Sequence, residues 1–302
     1  MEKLYADRLG EQAERLADHA ERGAIWDKAL EYLQRSGFRA CSLYANANAA
    51  RFFERALTVL KKLPESPDNL RQAVDLRFGL RNALLPQGEI DQIGRCLDEL
   101  DPILACLGDK LRSARYAAFR CTHHFWIGQQ RRAIEFGQTG ACLARECDDR
   151  VLLGELLYRL AQSYYALGEY RQATKLLEQS LEFTPNELRQ DRYDLSVIRS
   201  VVNRMWLVFA MVECGHFSAA MSHAKRALEI AEHAEHLERG AGLAFNRPRA
   251  PAQGRARGSG RRPGTWSGPM RQLVLSAHAP PARLGPCCRL CFRSGPRIAL
   301  CE

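Results

Sequence analysis

The sequence predicts an all-α fold built from stacked helical hairpins, and three observations lead to this expectation. Small and apolar residues recur at helical spacing, which indicates amphipathic helices. Isolated glycines such as Gly128 and Gly168 interrupt these patterns at points where a hairpin would turn. The whole arrangement repeats after 40 residues, as the distance between these two glycines illustrates. No segment shows the pattern of a strand.

The clearest unit runs from Gly154 to Pro185. Leu160, Ala161 and Tyr164 would share one face of a first helix, because they are three or four residues apart. A turn at Gly168 would follow, and small residues would let a second helix approach the first closely. The unit matches the tetratricopeptide pattern at these positions: Leu157, Leu160, Ala161, Tyr164, Gly168, Tyr170, Ala173, Leu177, Ser180, Leu181 and Pro185.

Laying this template along the chain predicts about five hairpins and an N-terminal helix. The units begin near positions 30, 74, 114, 154 and 201, and Lys3 to Arg22 would form the preceding helix. Five units exceed the roughly three that a repeat protein needs for a continuous core. We therefore expect a right-handed tetratricopeptide-repeat superhelical solenoid over residues 1–239. Because the 40-residue step exceeds the usual ~34, we expect a longer second helix followed by polar turns.

Charge and cysteine content separate the chain into two parts. The net charge is +9, but residues 239–302 contain 12 arginines and one acidic residue, which leaves the preceding 238 residues at about −2. The near-neutral first part argues against nucleic-acid binding there. The chain starts without a signal-peptide pattern, and its longest apolar run, Met205 to Val212, is too short to cross a bilayer. The scattered cysteines suit a reducing compartment, so we expect a cytoplasmic protein and no membrane contact.

We expect residues 240–302 to form a disordered Arg/Gly/Pro-rich tail. Leu, Ile, Val and Phe make up only 10 of the last 64 residues, too few to bury a core. One interpretation is nucleic-acid binding, with phosphates held by arginines and Trp266 as a stacking face. A second is a metal site at Cys287, Cys288 and Cys291, which lacks a second cysteine pair. We favour a third, a frameshift near codon 240, which nucleotide sequencing would test.

Five stretches carry a resemblance to a known family: Leu4–Leu9, Trp26–Ala29, Leu60–Ser66, Asp75–Pro86 and Tyr164–Tyr170. Through them, residues 1 to about 239 resemble the repeat region of bacterial multidomain signalling proteins. In that family a class III adenylate/guanylate cyclase domain and an ATPase module precede tetratricopeptide repeats. The resemblance implies a detached carboxyl-terminal piece with a regulatory role. It implies no ATP binding or cyclase activity, because the phosphate-binding loop and the paired aspartates are missing.

We predict that the first helices of the hairpins form a concave groove that binds a protein or peptide partner. No catalytic, cofactor or metal site is expected. His124 falls on a core position, and His216, His223, His233 and His236 suit a solvated face rather than a metal clip. Phe78 and Phe209 suit packing between repeats as well as the groove, and Asn82 also falls on the groove face. The candidate groove residues are Arg115, Thr122, Phe125, Trp126, Tyr158, Gln162, Tyr165 and Met205.

Overall fold

The computed structural model describes the backbone of residues 9–183 and 199–245 and the side chains of residues 12–183 and 199–232. This described part contains twelve α-helices and no strand, which confirms the predicted all-α fold. The helices are α1 (Leu9–Arg22), α2 (Trp26–Ser42), α3 (Asn46–Leu60), α4 (Pro67–Leu84), α5 (Ile90–Asp98), α6 (Asp101–Leu107), α7 (Lys110–Trp126), α8 (Gln130–Glu146), α9 (Arg150–Ala166), α10 (Tyr170–Glu182), α11 (Arg199–Glu213) and α12 (Phe217–Phe245).

The 40-residue step has a different origin from the one expected. The three consecutive helices α7, α8 and α9 each contain 17 residues. Left-handed residues mark the turns between them and after them at Gly128, Asp148 and Gly168, 20 residues apart. The extra length is therefore shared equally by the two helices of a hairpin. The prediction of a longer second helix was wrong, because the sequence pattern fixes the sum of the two lengths and not their division.

Backbone geometry explains the glycines at the hairpin turns. Gly128 and Gly168 have φ angles of 78° and 80°, and a Cβ atom at either would meet no atom within 4 Å. The demand for glycine is thus conformational rather than steric. Asp148 adopts the same region with a φ of 53°, which Asp tolerates better than most side chains.

Compact packing divides the chain into two units, Met1–Leu160 and Ala161–Glu302. The side chain of Phe53 of α3 is fully buried in the core of the first unit. Its ring lies against two glycines on neighbouring helices, Gly37 of α2 and Gly79 of α4. A Cβ atom at these positions would come within 2.8 Å and 2.7 Å of a ring carbon. The ring therefore fills space that only glycine leaves open.

In the second unit α11 packs against both α10 and α12. Asn203 of α11 is fully buried and donates a hydrogen bond from its amide nitrogen to the Ser180 hydroxyl of α10, at 2.7 Å. Val201, Ala227 and Ile230 form a small apolar cluster between α11 and α12.

The expected domain boundary falls within the last described helix. The backbone of α12 is helical through Phe245, so residues 240–245 continue it. The rest of the predicted tail, residues 246–302, lies outside the described residues, as do residues 3–8 of the predicted Lys3–Arg22 helix.

Candidate protein-interaction surfaces

One face of α7 carries three of the predicted groove residues. Arg115, Thr122 and Trp126 are separated by seven and four residues, which places them on the same side of the helix. Asp109 caps this helix by accepting a hydrogen bond from the backbone nitrogen of Arg112. Trp126 ends the helix and keeps 40% of its surface exposed, so this face presents an indole ring at one end.

Arg115 differs from the other arginines of α7. Arg112 binds Asp75 with N–O distances of 3.0 and 2.7 Å, and Arg120 binds Asp98 at 2.6 Å. Arg115 is half-buried and forms no ion pair with another residue in the described part of the chain. Its guanidinium group can therefore bind a carboxylate of a partner molecule, at a smaller desolvation cost than a fully buried group.

Three predicted groove residues of the first unit lie in its interior instead. Thr122, Phe125 and Tyr158 retain only 7%, 9% and 9% of their surface. The Thr122 hydroxyl donates to the Ala118 carbonyl oxygen at 3.0 Å and accepts from Arg159 of α9. These side chains offer little surface to a partner, although the template assigns them to the same face. Their role in binding stays a prediction.

The second unit holds the remaining predicted residues, Gln162, Tyr165 and Met205, all half-buried. Tyr165 of α9 meets the ring of Tyr170 edge-on at 5.2 Å and that of Trp206 at 5.5 Å. Phe209 continues the cluster, 6.1 Å from Trp206. These four rings, Tyr165, Tyr170, Trp206 and Phe209, are the aromatic cluster of the second unit.

Sequence reasoning missed Trp206. The template placed Met205 on the groove face, and Trp206 follows it by one position, or about 100° around the helix. A signal was present in the residue type, because tryptophan is enriched among the residues that dominate binding in protein interfaces. Phe78, which suited either role, is buried and packs edge-on against Phe119 at 5.0 Å. Asn82 accepts a hydrogen bond from Arg81.

The two adjacent histidines of α7, His123 and His124, pack against neighbouring residues of the protein. His124 is buried, stacks on Phe136 at 5.2 Å and lies 3.1 Å from the Gln129 side-chain oxygen. The His123 ring lies against Gly94 of α5. Burial lowers the pKa of His123, with a further contribution from Arg120, and burial also lowers the pKa of His124. Both rings therefore favour the neutral form at neutral pH.

Among the described residues, no group of three His, Cys, Asp or Glu residues is arranged to hold a metal ion. None of the helices described is both long and apolar enough to cross a bilayer. The side chains of His233 and His236 lie outside the described residues, as do Trp266, Cys287, Cys288 and Cys291. Nucleic-acid or metal binding by the tail, and its origin in a frameshift, stay predictions.

Comparison with known proteins supports the repeat class. The family described as Tetratricopeptide repeat matches residues 154–187. A search of the curated proteins found no match. Among solved structures, the chain is similar to BtubC (BKLC) from P. vanneervenii, with a TM-score of 0.59 and 16% identity over 85% of this chain and 98% of that one.

Two further solved structures resemble the fold. One is a single-residue variant of the putative kinesin light chain of Podosopora anserina with nearly identical TPR-like repeats, with a TM-score of 0.51 and 16% identity over 68% of this chain and 96% of that one. The other is the apo form of RapI, with a TM-score of 0.55 and 12% identity over 76% of this chain and 61% of that one. At these identities the comparisons show a tetratricopeptide-like helical fold and nothing about partners.

Proposed function

We propose that the chain is a protein-interaction scaffold that holds a segment of a partner protein against the first helices of its hairpins. The observation that carries this proposal is the exposed Trp126 on the same face of α7 as Arg115, which has no ion-pair partner among the described residues. Tryptophan and arginine are among the residue types whose truncation to alanine costs the most binding free energy in protein interfaces. A partner segment with an apolar side chain and a carboxylate suits this pair.

The second unit supports the same function with a different surface. Its aromatic cluster exposes parts of several rings, and tyrosine and tryptophan bury large areas at a small cost in conformational entropy. An extended peptide or a partner helix would pack on these rings by apolar contact. Each surface is a binding element by itself.

The regulatory context is a further part of the proposal. The resemblance of five stretches to cyclase and ATPase signalling proteins motivates a role in signal transduction, as the regulatory part of such a protein in the cytoplasm. Capture of a partner segment would then bias the activity of linked domains. The chain itself is proposed to bind and not to catalyse.

Selection of peptides from a random displayed library with the full chain tests the proposal. The best peptide would be measured by calorimetry against Trp126→Ala and Arg115→Glu, and we expect each change to weaken binding about tenfold or more. Ile127→Ala is the matched control, because Ile127 is the next residue and is 41% exposed. The proposal fails if no peptide is enriched, or if Ile127→Ala weakens binding as much as Trp126→Ala.

A further inference from the structure

An apolar stripe runs along α12. Phe217, Met221, Ala224 and Leu228 follow one another by four, three and four residues, which places them in one line along the helix. Phe217 is 67% exposed and Met221 is 45% exposed, while Ala224 and Leu228 are half-buried. Large apolar side chains in an uncovered row indicate an interaction surface.

The corresponding positions on earlier second helices are covered by the next first helix. On α8, the position that matches Ala224 is Gly137, where the side chain of Leu160 from α9 lies within 2.7 Å of an added Cβ. On α10 it is Leu177, which is 1% exposed, and α11 packs on that helix. The α12 stripe therefore continues a series of helix-packing faces, and it is the member of that series left open in the described structure.

The stripe is complementary to itself when two copies run antiparallel. With a rise of about 1.5 Å per residue, a two-fold axis at Ala224 brings this small residue level with its own copy. Phe217 then comes level with Ala231 of the second copy, and Met221 comes within about 1.5 Å of the level of Leu228. A parallel pair would instead place Phe217 against Phe217. Phe217 therefore meets a small residue in the antiparallel arrangement, and Met221 meets Leu228 by apolar contact.

We propose that α12 pairs with α12 of a second copy of this chain, antiparallel and centred on Ala224. From Phe217 to Glu232 the contact is roughly 24 Å long, and one helix face of that length buries less than the ~800 Å² per partner of a standard interface. The dimer is accordingly weak and forms reversibly, on the order of micromolar. The proposal is independent of partner binding by the first helices.

Salt dependence separates this contact from association through the Arg-rich tail. Lys225 is exposed and borders the stripe one position beyond Ala224, so the two-fold axis brings it close to its own copy. Salt screens this repulsion, and the dimer tightens or is unchanged between 50 and 500 mM NaCl. Association through the Arg-rich tail would weaken over the same range.

Sedimentation equilibrium of the full chain from 1 to 200 µM tests the proposal. The parent chain is expected to form a dimer, and Met221→Glu is expected to raise its dissociation constant at least tenfold while leaving the helical circular dichroism unchanged. Ser222→Glu is the matched control, because it adds the same charge to an exposed residue beside the stripe. Its dissociation constant is expected to stay within twofold of the parent.

Mixing two variants tests the antiparallel arrangement directly. Met221→Glu and Leu228→Lys are each expected to be monomeric, whereas their mixture restores a dimer because the introduced carboxylate and the introduced ammonium group become level. A parent chain that is monomeric at all concentrations overturns the proposal. So does equal weakening by Ser222→Glu, a dimer that Met221→Glu leaves intact and salt dissociates, or a mixture that stays monomeric.

Discussion

Two helix contacts lie at matching positions of successive hairpins, and one is apolar while the other is a hydrogen bond. In the first unit, Leu156 of α9 lies against Gly140 of α8, where an added Cβ would come within 2.6 Å of the leucine. In the second unit, the matching positions are Asn203 of α11 and Ser180 of α10, joined by a hydrogen bond. A small residue on the second helix is common to both, so the stacking depends on size and accepts either an apolar or a polar group opposite.

Phe53→Ala is expected to have the largest effect of the changes considered, because it removes a fully buried ring that fits against two glycines of the first unit. We expect a loss of about 3–5 kcal/mol in the free energy of unfolding, measured by urea denaturation of the full chain. Phe38→Ala is the control. Phe38 touches Phe53 edge-on at 5.3 Å but is 50% exposed, and its removal is expected to cost about 1 kcal/mol. Equal losses would show that the ring does not organise this unit.

Asn203→Ala tests the polar version of the contact in the second unit. The change leaves the buried Ser180 hydroxyl without its amide donor, and we expect a loss of about 1–3 kcal/mol in the free energy of unfolding. Denaturation is followed by the fluorescence of Trp206, with the other three tryptophans of the chain replaced by phenylalanine so that the signal reports on this unit. Gln179→Ala, at the half-buried neighbour of Ser180, is expected to cost about 0.5 kcal/mol or less. A neutral Asn203→Ala would mean that the hydrogen bond adds no stability.

Acid is expected to destabilise the first unit by a smaller amount. The pKa values of His123 and His124 are lowered in the folded chain, so the unfolded chain binds protons more readily. The contribution of these two neutral rings to the free energy of unfolding is fully present above the unfolded pKa of about 6.5. It is lost as the pH falls through the lower pKa values of the folded chain. Unfolding free energies measured from pH 7.5 to 5 are expected to decline, and less steeply in the double variant His123→Gln with His124→Gln. An unchanged slope in that variant would assign the decline to other groups.

The turns and small-residue positions were predictable from the sequence because they repeat. Gly128, Gly168, Gly137 and Gly140 follow from their spacing, and the expected start of the third unit near 114 lies four residues from the start of α7 at Lys110. A periodic pattern indicates which positions need small residues, because the equivalent position in each repeat packs against the same part of the next helix.

The contacts that differ between repeats were not predictable in this way. The ring of Trp206 against Tyr165 and the ion pair of Arg112 with Asp75 join residues that are tens of positions apart. Each depends on the rotation of two helices about their axes, which the repeat pattern does not specify. The burial of Thr122 and Tyr158 was missed for the same reason. The template predicts on which face of a helix a residue lies, but not how deeply the neighbouring helices bury that residue.

The coupling between Gly140 and Leu156 tests most directly that a small residue on one helix seats the next. Gly140→Ala and Leu156→Ala would be made singly and together, and the free energies of unfolding measured by urea denaturation. The new methyl group would come within 2.6 Å of the Leu156 side chain and 2.9 Å of the Ala117 methyl group. Because Leu156→Ala removes the first of these clashes and leaves the second, we expect Gly140→Ala to cost about 1 kcal/mol less when Leu156 is already alanine. Thr139→Ala, at the exposed neighbour, is expected to be additive with Leu156→Ala. Additivity of Gly140→Ala and Leu156→Ala within about 0.5 kcal/mol would contradict the account.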